Sequence, residues 1–81
     1  MRVQVLYFGP LKAQAGCETE ALELPEGATV SALLDACCRA HPGLHRGSLL
    51  TAVDREFTGP DARLSGREEV AVMPPLSGGL R

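Results

Sequence analysis

The most reactive side chains of this 81-residue sequence are those of three cysteines, Cys17, Cys37 and Cys38. Their number is odd and two of them are adjacent, which argues against a disulfide framework and favours a reducing compartment. A thiol could act as a nucleophile or carry a persulfide, but neighbouring cysteines on an apolar helix face are more often small core residues. We therefore interpret Cys37 and Cys38 as structural.

A metal site is the second chemistry that the side chains suggest, because Cys37, His41 and His45 are spaced four residues apart. Ligands at this spacing align only on a continuous helix, and the proline and glycine at residues 42–43 interrupt it. We interpret the two histidines as helix-end and loop residues, and predict no metal site.

The most distinctive stretch is the C-terminal tail, residues 74–81, with the sequence PPLSGGLR. Two prolines remove backbone donors and end strand pairing, and the glycine pair leaves the backbone nearly unrestrained. The tail follows an apolar alternating run at residues 70–73. We predict a compact domain over residues 1–73 and a flexible Gly-Gly tail over residues 74–81, slim enough to enter a partner.

Length and composition limit the classes of function. A chain of this size buries roughly 60% of its unfolded surface, enough for one modest core but not for a deep cofactor pocket as well. A carrier or binding module is therefore favoured over a self-contained enzyme. The net charge of −2, with basic residues scattered, gives no nucleic-acid footprint. No run is apolar enough to span a membrane and no signal peptide is recognisable, so we expect a cytoplasmic protein.

The pattern over the first half of the chain predicts two strands and one helix. Residues 2–8 carry apolar side chains on both faces, as interior strands do, and residues 18–24 alternate as a half-buried strand near an edge. These two strands should form an antiparallel hairpin, joined by a short connector with a helical turn at residues 11–16. We interpret the acidic side chains around the second strand as a solvated face: Glu18, Glu20, Glu23 and Glu26.

The clearest helix runs from an N-cap at Thr29 to about Ala40, before residues 41–43 end it. Its apolar stripe has helical spacing and comprises Val30, Leu33, Leu34, Cys37 and Cys38.

The remaining chain predicts three more strands. They lie at residues 49–53, 56–58 and 69–73, with tight turns at 54–55 and 65–68 and a loop at 44–48. The order strand, strand, helix, strand, strand, strand gives an α+β roll. We expect a mixed sheet of four to five strands covered by one main helix, with the last strand parallel to the first.

Several of these stretches together resemble a known family. They are VLYFG at residues 5–9, HPGL at 41–44, and the apolar strand EVAV at 69–72 followed by PPLSGG at 74–79. The chain resembles the MoaD/ThiS-type family of small, sulfur-carrying subunits of molybdopterin synthase, which has the β-grasp (ubiquitin-like) fold. The resemblance covers nearly the whole chain, and PPLSGG directly after a strand is its most specific part.

The resemblance implies that the carboxylate of a terminal glycine is the working group. In that family a ubiquitin-activating-type enzyme uses ATP to adenylate this carboxylate, and a sulfur donor protein replaces AMP. The resulting thiocarboxylate gives sulfur to a pterin precursor on the large synthase subunit, which forms the molybdopterin dithiolene. Here Gly79 would be the acyl position, the tail residues Pro75, Leu76, Ser77 and Gly78 would thread the partner, and this chain itself would bind no cofactor.

Threading the tail predicts a docking surface as well. Ordering each tail residue costs on the order of 1–2 kcal/mol, which contacts elsewhere must offset. We expect Phe8, Leu64 and Leu76 to form the apolar part of that surface.

The chain departs from the family at its end, where Leu80 and Arg81 follow Gly79. With them attached, Gly79 has a peptide carbonyl in place of a carboxylate. Either a protease removes them, or they belong to an engineered end, or carrier activity has been lost; we favour the first two. Lesser departures, at Asp54 and at residues 67–68, are interpreted as surface variation.

Two further function classes stay open. One is a sulfur carrier or protein modifier of another pathway, such as thiamine, cysteine or tRNA thiolation, which reuse the fold and the tail. The other is a simple binding domain that recruits a protein through an exposed strand edge.

Overall fold

The computed structural model describes residues 1–74. Its elements are β1 (Arg2–Tyr7), α1 (Leu11–Ala15), β2 (Thr19–Glu23), α2 (Val30–Ala40), a 3₁₀-helix (Arg46–Ser48), β3 (Leu50–Val53), β4 (Glu56–Phe57) and β5 (Glu69–Met73). The strands form one five-stranded sheet in the order β2-β1-β5-β3-β4. The predicted roll, with its mixed sheet and one main helix, is confirmed.

The sheet is mixed because its last strand returns to the first. β5 pairs parallel to β1, with Tyr7 opposite Val72, and antiparallel to β3 on its other side. β1 and β2 form the predicted antiparallel hairpin, which makes β2 an edge strand and β1 an interior one. β5 therefore lies in the middle of the sheet.

The core lies between α2 and one face of the sheet. Alternate residues of the two central strands are buried: Val3, Val5 and Tyr7 on β1, and Val70 and Val72 on β5. The helix contributes the predicted stripe, of which Val30, Leu33, Leu34 and Cys37 are buried and Cys38 is half-buried. At the helix start, the Thr29 side chain accepts a hydrogen bond from Ala32 N at 3.3 Å, as expected of an N-cap.

Two local expectations differ from the structure. The stretch predicted as a loop contains the 3₁₀-helix, and Leu44 before it is buried in the core, so this connection is packed against the domain. β4 is two residues long and ends at Phe57 rather than Thr58, because the β3–β4 ladder comprises only two pairs.

Candidate functional site

The tail emerges from the central strand of the sheet. β5 ends at Met73, which pairs with Leu50, and Pro74 then lacks the backbone N–H that would continue the ladder. Pro74 packs beside Gly9, where an added Cβ atom would lie 3.7 Å from Pro74 Cγ. Because β5 has a hydrogen-bonded neighbour on each side, the start of the tail is fixed relative to the whole sheet.

The predicted reactive position and the predicted threading residues lie outside the described residues. These are Gly79, and Pro75, Leu76, Ser77 and Gly78. Their roles stay predictions, as does the division of the chain at residue 73.

An apolar strip lies next to the start of the tail, on the sheet face opposite α2. Strand alternation places Leu6 of β1 and Ala71 and Met73 of β5 on this face, and each of them is half-buried. Phe8, directly after β1, is 44% exposed although it is large and apolar. Phe8 is therefore available to a partner, as the docking expectation requires.

Leu64 does not belong to that surface, and the expectation that it docks a partner needs correction. Its side chain is only 3% exposed and is part of the core. Leu64 N donates to Ala28 O at 2.9 Å, and Arg63 forms an isolated antiparallel bridge with Thr29. This segment is thus held against the chain entering α2, which turns Leu64 inward.

The three cysteines are free thiols, and none has the lowered pKa of a nucleophilic cysteine. Burial raises the pKa of Cys37 to about 11, and burial also raises the pKa values of Cys17 and Cys38. All three are therefore protonated at neutral pH. The structural interpretation of Cys37 is confirmed by its complete burial.

A polar cluster lies at the end of β1, under the edge strand. The Tyr7 hydroxyl donates to Glu20 Oε2 at 2.6 Å, and His41 Nε2 lies 2.7 Å from the same oxygen. The rings of Tyr7 and His41 pack edge to face with centroids 5.7 Å apart. Burial, followed by hydrogen bonding to Cys37 and Glu20, raises the pKa of Tyr7, so its hydroxyl stays a donor.

Glu20 was expected on a solvated face, and this interpretation is wrong. Its side chain is 22% exposed and turned toward Tyr7 and His41. The signal was present in the sequence, since alternation along β2 puts Glu20 on the same side as Leu22. Among the described residues, one group of possible metal ligands comes together, formed by Cys17, Glu20 and His41. It differs from the set Cys37, His41 and His45, which the sequence analysis considered and rejected.

A second side chain that the sequence did not reveal is Glu68, in the turn before β5. Its carboxylate accepts hydrogen bonds from the backbone N–H groups of Ser65, Gly66 and Arg67, and from the Ser65 hydroxyl. Burial acts to raise the pKa of Glu68, but the hydrogen bonds outweigh it and lower the pKa. Glu68 therefore organises the turn that leads into the tail-bearing strand.

Comparison with known protein families matches residues 5–79 to the ThiS family. The chain belongs to the ThiS family. The match ends at Gly79 and leaves Leu80 and Arg81 outside it. Within residues 1–74, none of the helices is long and apolar enough to cross a membrane.

Relatives within the family are similar over nearly their whole length. A Chlamydomonas reinhardtii protein named molybdopterin synthase sulfur carrier subunit is 36% identical, over 98% of this chain and 100% of the relative. An Arabidopsis thaliana protein of the same name is 31% identical, over 98% of this chain and 84% of the relative.

Solved structures agree with the β-grasp fold. The putative molybdopterin converting factor, subunit 1, from Pyrococcus furiosus has a TM-score of 0.84 at 28% identity, covering 93% of this chain and 98% of that one. SAMP1 from Haloferax volcanii has a TM-score of 0.85 at 26% identity, covering 98% of this chain and 100% of that one. A complex of subunits 1 and 2 of the molybdopterin-converting factor from Helicobacter pylori contains a chain with a TM-score of 0.66 at 20% identity, covering 93% and 95%.

Proposed function

We propose that this chain is the sulfur carrier of molybdenum cofactor biosynthesis, with Gly79 as the residue that carries sulfur. The observation behind this proposal is the family match, which runs through the tail and ends at Gly79. Relatives that align with 98% of the chain are named molybdopterin synthase sulfur carrier subunits, which supports the same role here.

The chemistry requires activation by another protein. A carboxylate is a poor electrophile until adenylation gives it a leaving group. In this proposal an adenylating enzyme of the ubiquitin-activating type joins AMP from ATP to the Gly79 carboxylate and releases pyrophosphate. Sulfide supplied by a sulfur donor protein then displaces AMP, so that a C–S bond replaces the C–O bond to AMP and a thiocarboxylate is left. ATP belongs to the activating enzyme. The raised pKa values of the three thiols agree with a carrier whose own cysteines take no nucleophilic part.

The partner that receives sulfur is proposed to be the large subunit of molybdopterin synthase. The exposed Phe8 and the strip formed by Leu6, Ala71 and Met73 would dock it, with Leu76 extending the contact along the tail. Pro75, Leu76, Ser77 and Gly78 would then lead Gly79 into the partner. A Gly-Gly end can pass a channel in which any Cβ atom would collide.

Gly79 has a carboxylate only if Leu80 and Arg81 are removed, so we propose cleavage after Gly79. The test uses two forms of the chain, one ending at Gly79 and one at Arg81, each incubated with the activating enzyme, ATP and a sulfur donor. Intact-mass measurement should show the oxygen-to-sulfur exchange on the shorter form and no change on the longer one.

A third form, Gly79→Val in the chain ending at that position, serves as a control. It should lose sulfur loading while its melting temperature stays that of the parent. Loading of the form that ends at Arg81, or no loading of the form that ends at Gly79, would contradict the proposal.

A second candidate is a carrier or protein modifier of another pathway. It is favoured by the similarity to SAMP1, whose full name is small archaeal modifier protein 1. The form ending at Gly79 separates the two candidates. Covalent attachment to lysines of other proteins in the presence of ATP and an activating enzyme would support the modifier. Conversion of the pterin precursor to molybdopterin by the thiocarboxylate form and the large subunit would support the first proposal.

A further inference from the structure

Three side chains with different metal-binding atoms meet outside the tail. Cys17 follows α1, Glu20 lies on β2, and His41 is the C-cap residue of α2. The Cys17 sulfur, a Glu20 carboxylate oxygen and a ring nitrogen of His41 all lie within 4.8 Å of one another. Each of the three residues is half-buried, so the group is partly shielded from water yet open to an entering ion.

We propose that Cys17 Sγ, the Glu20 carboxylate and His41 Nε2 bind a divalent cation of the zinc class. Thiolate, carboxylate and imidazole are the ligand types that Zn²⁺ takes in proteins, and three protein ligands leave a fourth position for water. The soft sulfur ligand disfavours Mg²⁺ and Ca²⁺, which prefer oxygen.

The present distances are close to those that such an ion needs. Tetrahedral ligands at zinc-to-ligand distances of about 2.0–2.3 Å lie roughly 3.3–3.8 Å apart. His41 Nε2 and Glu20 Oε2 are now 2.7 Å apart, so an ion between them would replace their hydrogen bond and separate them slightly. The sulfur would move inward from a distance of at most 4.8 Å. In moving, the Cys17 sulfur would give up its contact with Ala15 O, which is long at 3.9 Å.

Outer contacts already hold two of the ligands in place. Tyr7 is buried and its hydroxyl donates to Glu20 at 2.6 Å, which fixes the carboxylate. The edge-to-face contact with Tyr7 fixes the His41 ring. Hydrogen-bonded partners of this kind orient metal ligands and are worth about 10–100-fold in affinity.

Charge also favours a cation at this position. The Glu20 carboxylate lies within 4.8 Å of the Cys17 sulfur, and its negative charge attracts a cation. On binding, the Cys17 sulfur would give its proton to solvent and bond to the ion, whose positive charge offsets both the thiolate and the carboxylate.

The site is separate from the proposed sulfur chemistry. Tyr7 pairs with Val72, two residues before the start of the tail, so an ion here would join α2 and the β2 edge near the base of the tail through residues of the domain alone. The role of the ion would be to stabilise the packing of α2 against the β2 edge at this end of the fold. The inference therefore does not depend on the proposed function.

Titration of the untagged, reduced chain with Co²⁺ tests the site. We expect one equivalent to bind, with a thiolate-to-cobalt charge-transfer band and the absorption of a tetrahedral ion, and we expect Zn²⁺ to displace it. Cys17→Ser should abolish the charge-transfer band, and Glu20→Gln or His41→Gln should weaken binding about tenfold or more. Tyr7→Phe should keep the band but weaken binding about tenfold.

Matched controls are Cys38→Ser and His45→Gln, which change the same residue types outside the cluster and should leave the titration unchanged. Circular dichroism of each variant confirms folding, and Cys17→Ala replaces Cys17→Ser if the serine variant fails to fold. Zn²⁺ should raise the melting temperature of the parent and of Cys38→Ser but not of the Cys17 variant. The absence of a charge-transfer band in the parent, or an unchanged band without Cys17, would overturn the proposal.

Discussion

At the scale of single residues, Gly9 combines an unusual backbone conformation with a position next to the start of the tail. Its φ is +60°, in the left-handed region that glycine adopts without strain. It also lies beside Pro74, the last described residue before the predicted threading segment, since an added Cβ atom would be 3.7 Å from Pro74 Cγ. Gly9 therefore turns the chain after β1 at the place where Pro74 begins the tail.

Gly9→Ala should lower the free energy of unfolding by about 1 kcal/mol, because a side chain is strained at positive φ. The added Cβ would lie at ordinary contact distance from Pro74, so a clash contributes little. Urea denaturation measures the effect. Gly59→Ala is the matched control, since its added Cβ meets no heavy atom within 4 Å and the change should be nearly neutral. Equal losses in both variants would refute the strain argument.

Glu20 and Glu68 show how single residues can be misjudged from sequence. Both are acidic residues in polar surroundings, and both were interpreted as surface positions. Glu20 instead meets Tyr7 and His41, which are distant from it in sequence, and Glu68 gathers the backbone donors of its own turn. For Glu20 the charge predicted exposure, and the fold turns the side chain inward instead. Glu68 does lie in an exposed turn, and what the sequence did not reveal is that its carboxylate accepts from the backbone donors of that turn.

At the scale of elements, most of the architecture follows from periodicity. The last strand was predicted at residues 69–73 and is observed as Glu69–Met73, because alternation and the following prolines define both ends. The helix likewise begins after the Thr29 cap as predicted. Leu64 could not be placed in this way. Its burial depends on the pairing of residues 63–64 with residues 28–29, a contact between distant segments with no local pattern.

The turn held by Glu68 is an element whose stability should depend on pH. The pKa of Glu68 is lowered in the folded chain, so its contribution is present above the unfolded pKa of about 4.3 and is lost as pH falls through the folded value. Glu68→Gln should therefore reduce stability by about 1 kcal/mol at pH 7, a modest value because the turn is exposed. The difference from the parent should shrink in acid, where Glu68 is protonated.

Thermal unfolding between pH 7 and pH 3 measures this difference. Glu56→Gln, on the exposed strand β4, is the control and should show a smaller effect at pH 7. A difference between the parent and Glu68→Gln that stays constant across this range would show that the carboxylate charge does not organise the turn.

At the scale of the whole molecule, the two faces of the sheet have different tasks. One face packs on α2 and contains the core, together with Leu64 and the Tyr7, Glu20 and His41 cluster. The other face presents the apolar strip beside the emerging tail. A carrier built in this way can bind a partner through the face with the apolar strip, without disturbing the core on the face that packs against α2.

This separation predicts opposite outcomes for two apolar substitutions in the chain ending at Gly79. Phe8→Ser should weaken binding to the large subunit about tenfold or more, equal to about 1.4 kcal/mol, with little change in melting temperature. Leu64→Ala should instead cost about 2–5 kcal/mol of stability, as expected for a buried leucine. Calorimetric titration with the large subunit gives the first quantity and denaturation the second.

Phe57 supplies the matched control for Phe8, because it is also a large exposed apolar residue, 68% accessible, but lies on the far edge strand β4. Phe57→Ser should leave the affinity unchanged, since two strands, β3 and β5, lie between β4 and β1, the strand whose end lies next to the tail. Equal weakening by both variants would mean that the partner covers the whole sheet face, and weakening by Phe57→Ser alone would place docking at the opposite edge. Only a loss confined to Phe8→Ser supports a partner seated beside the base of the tail, where it could receive Gly79.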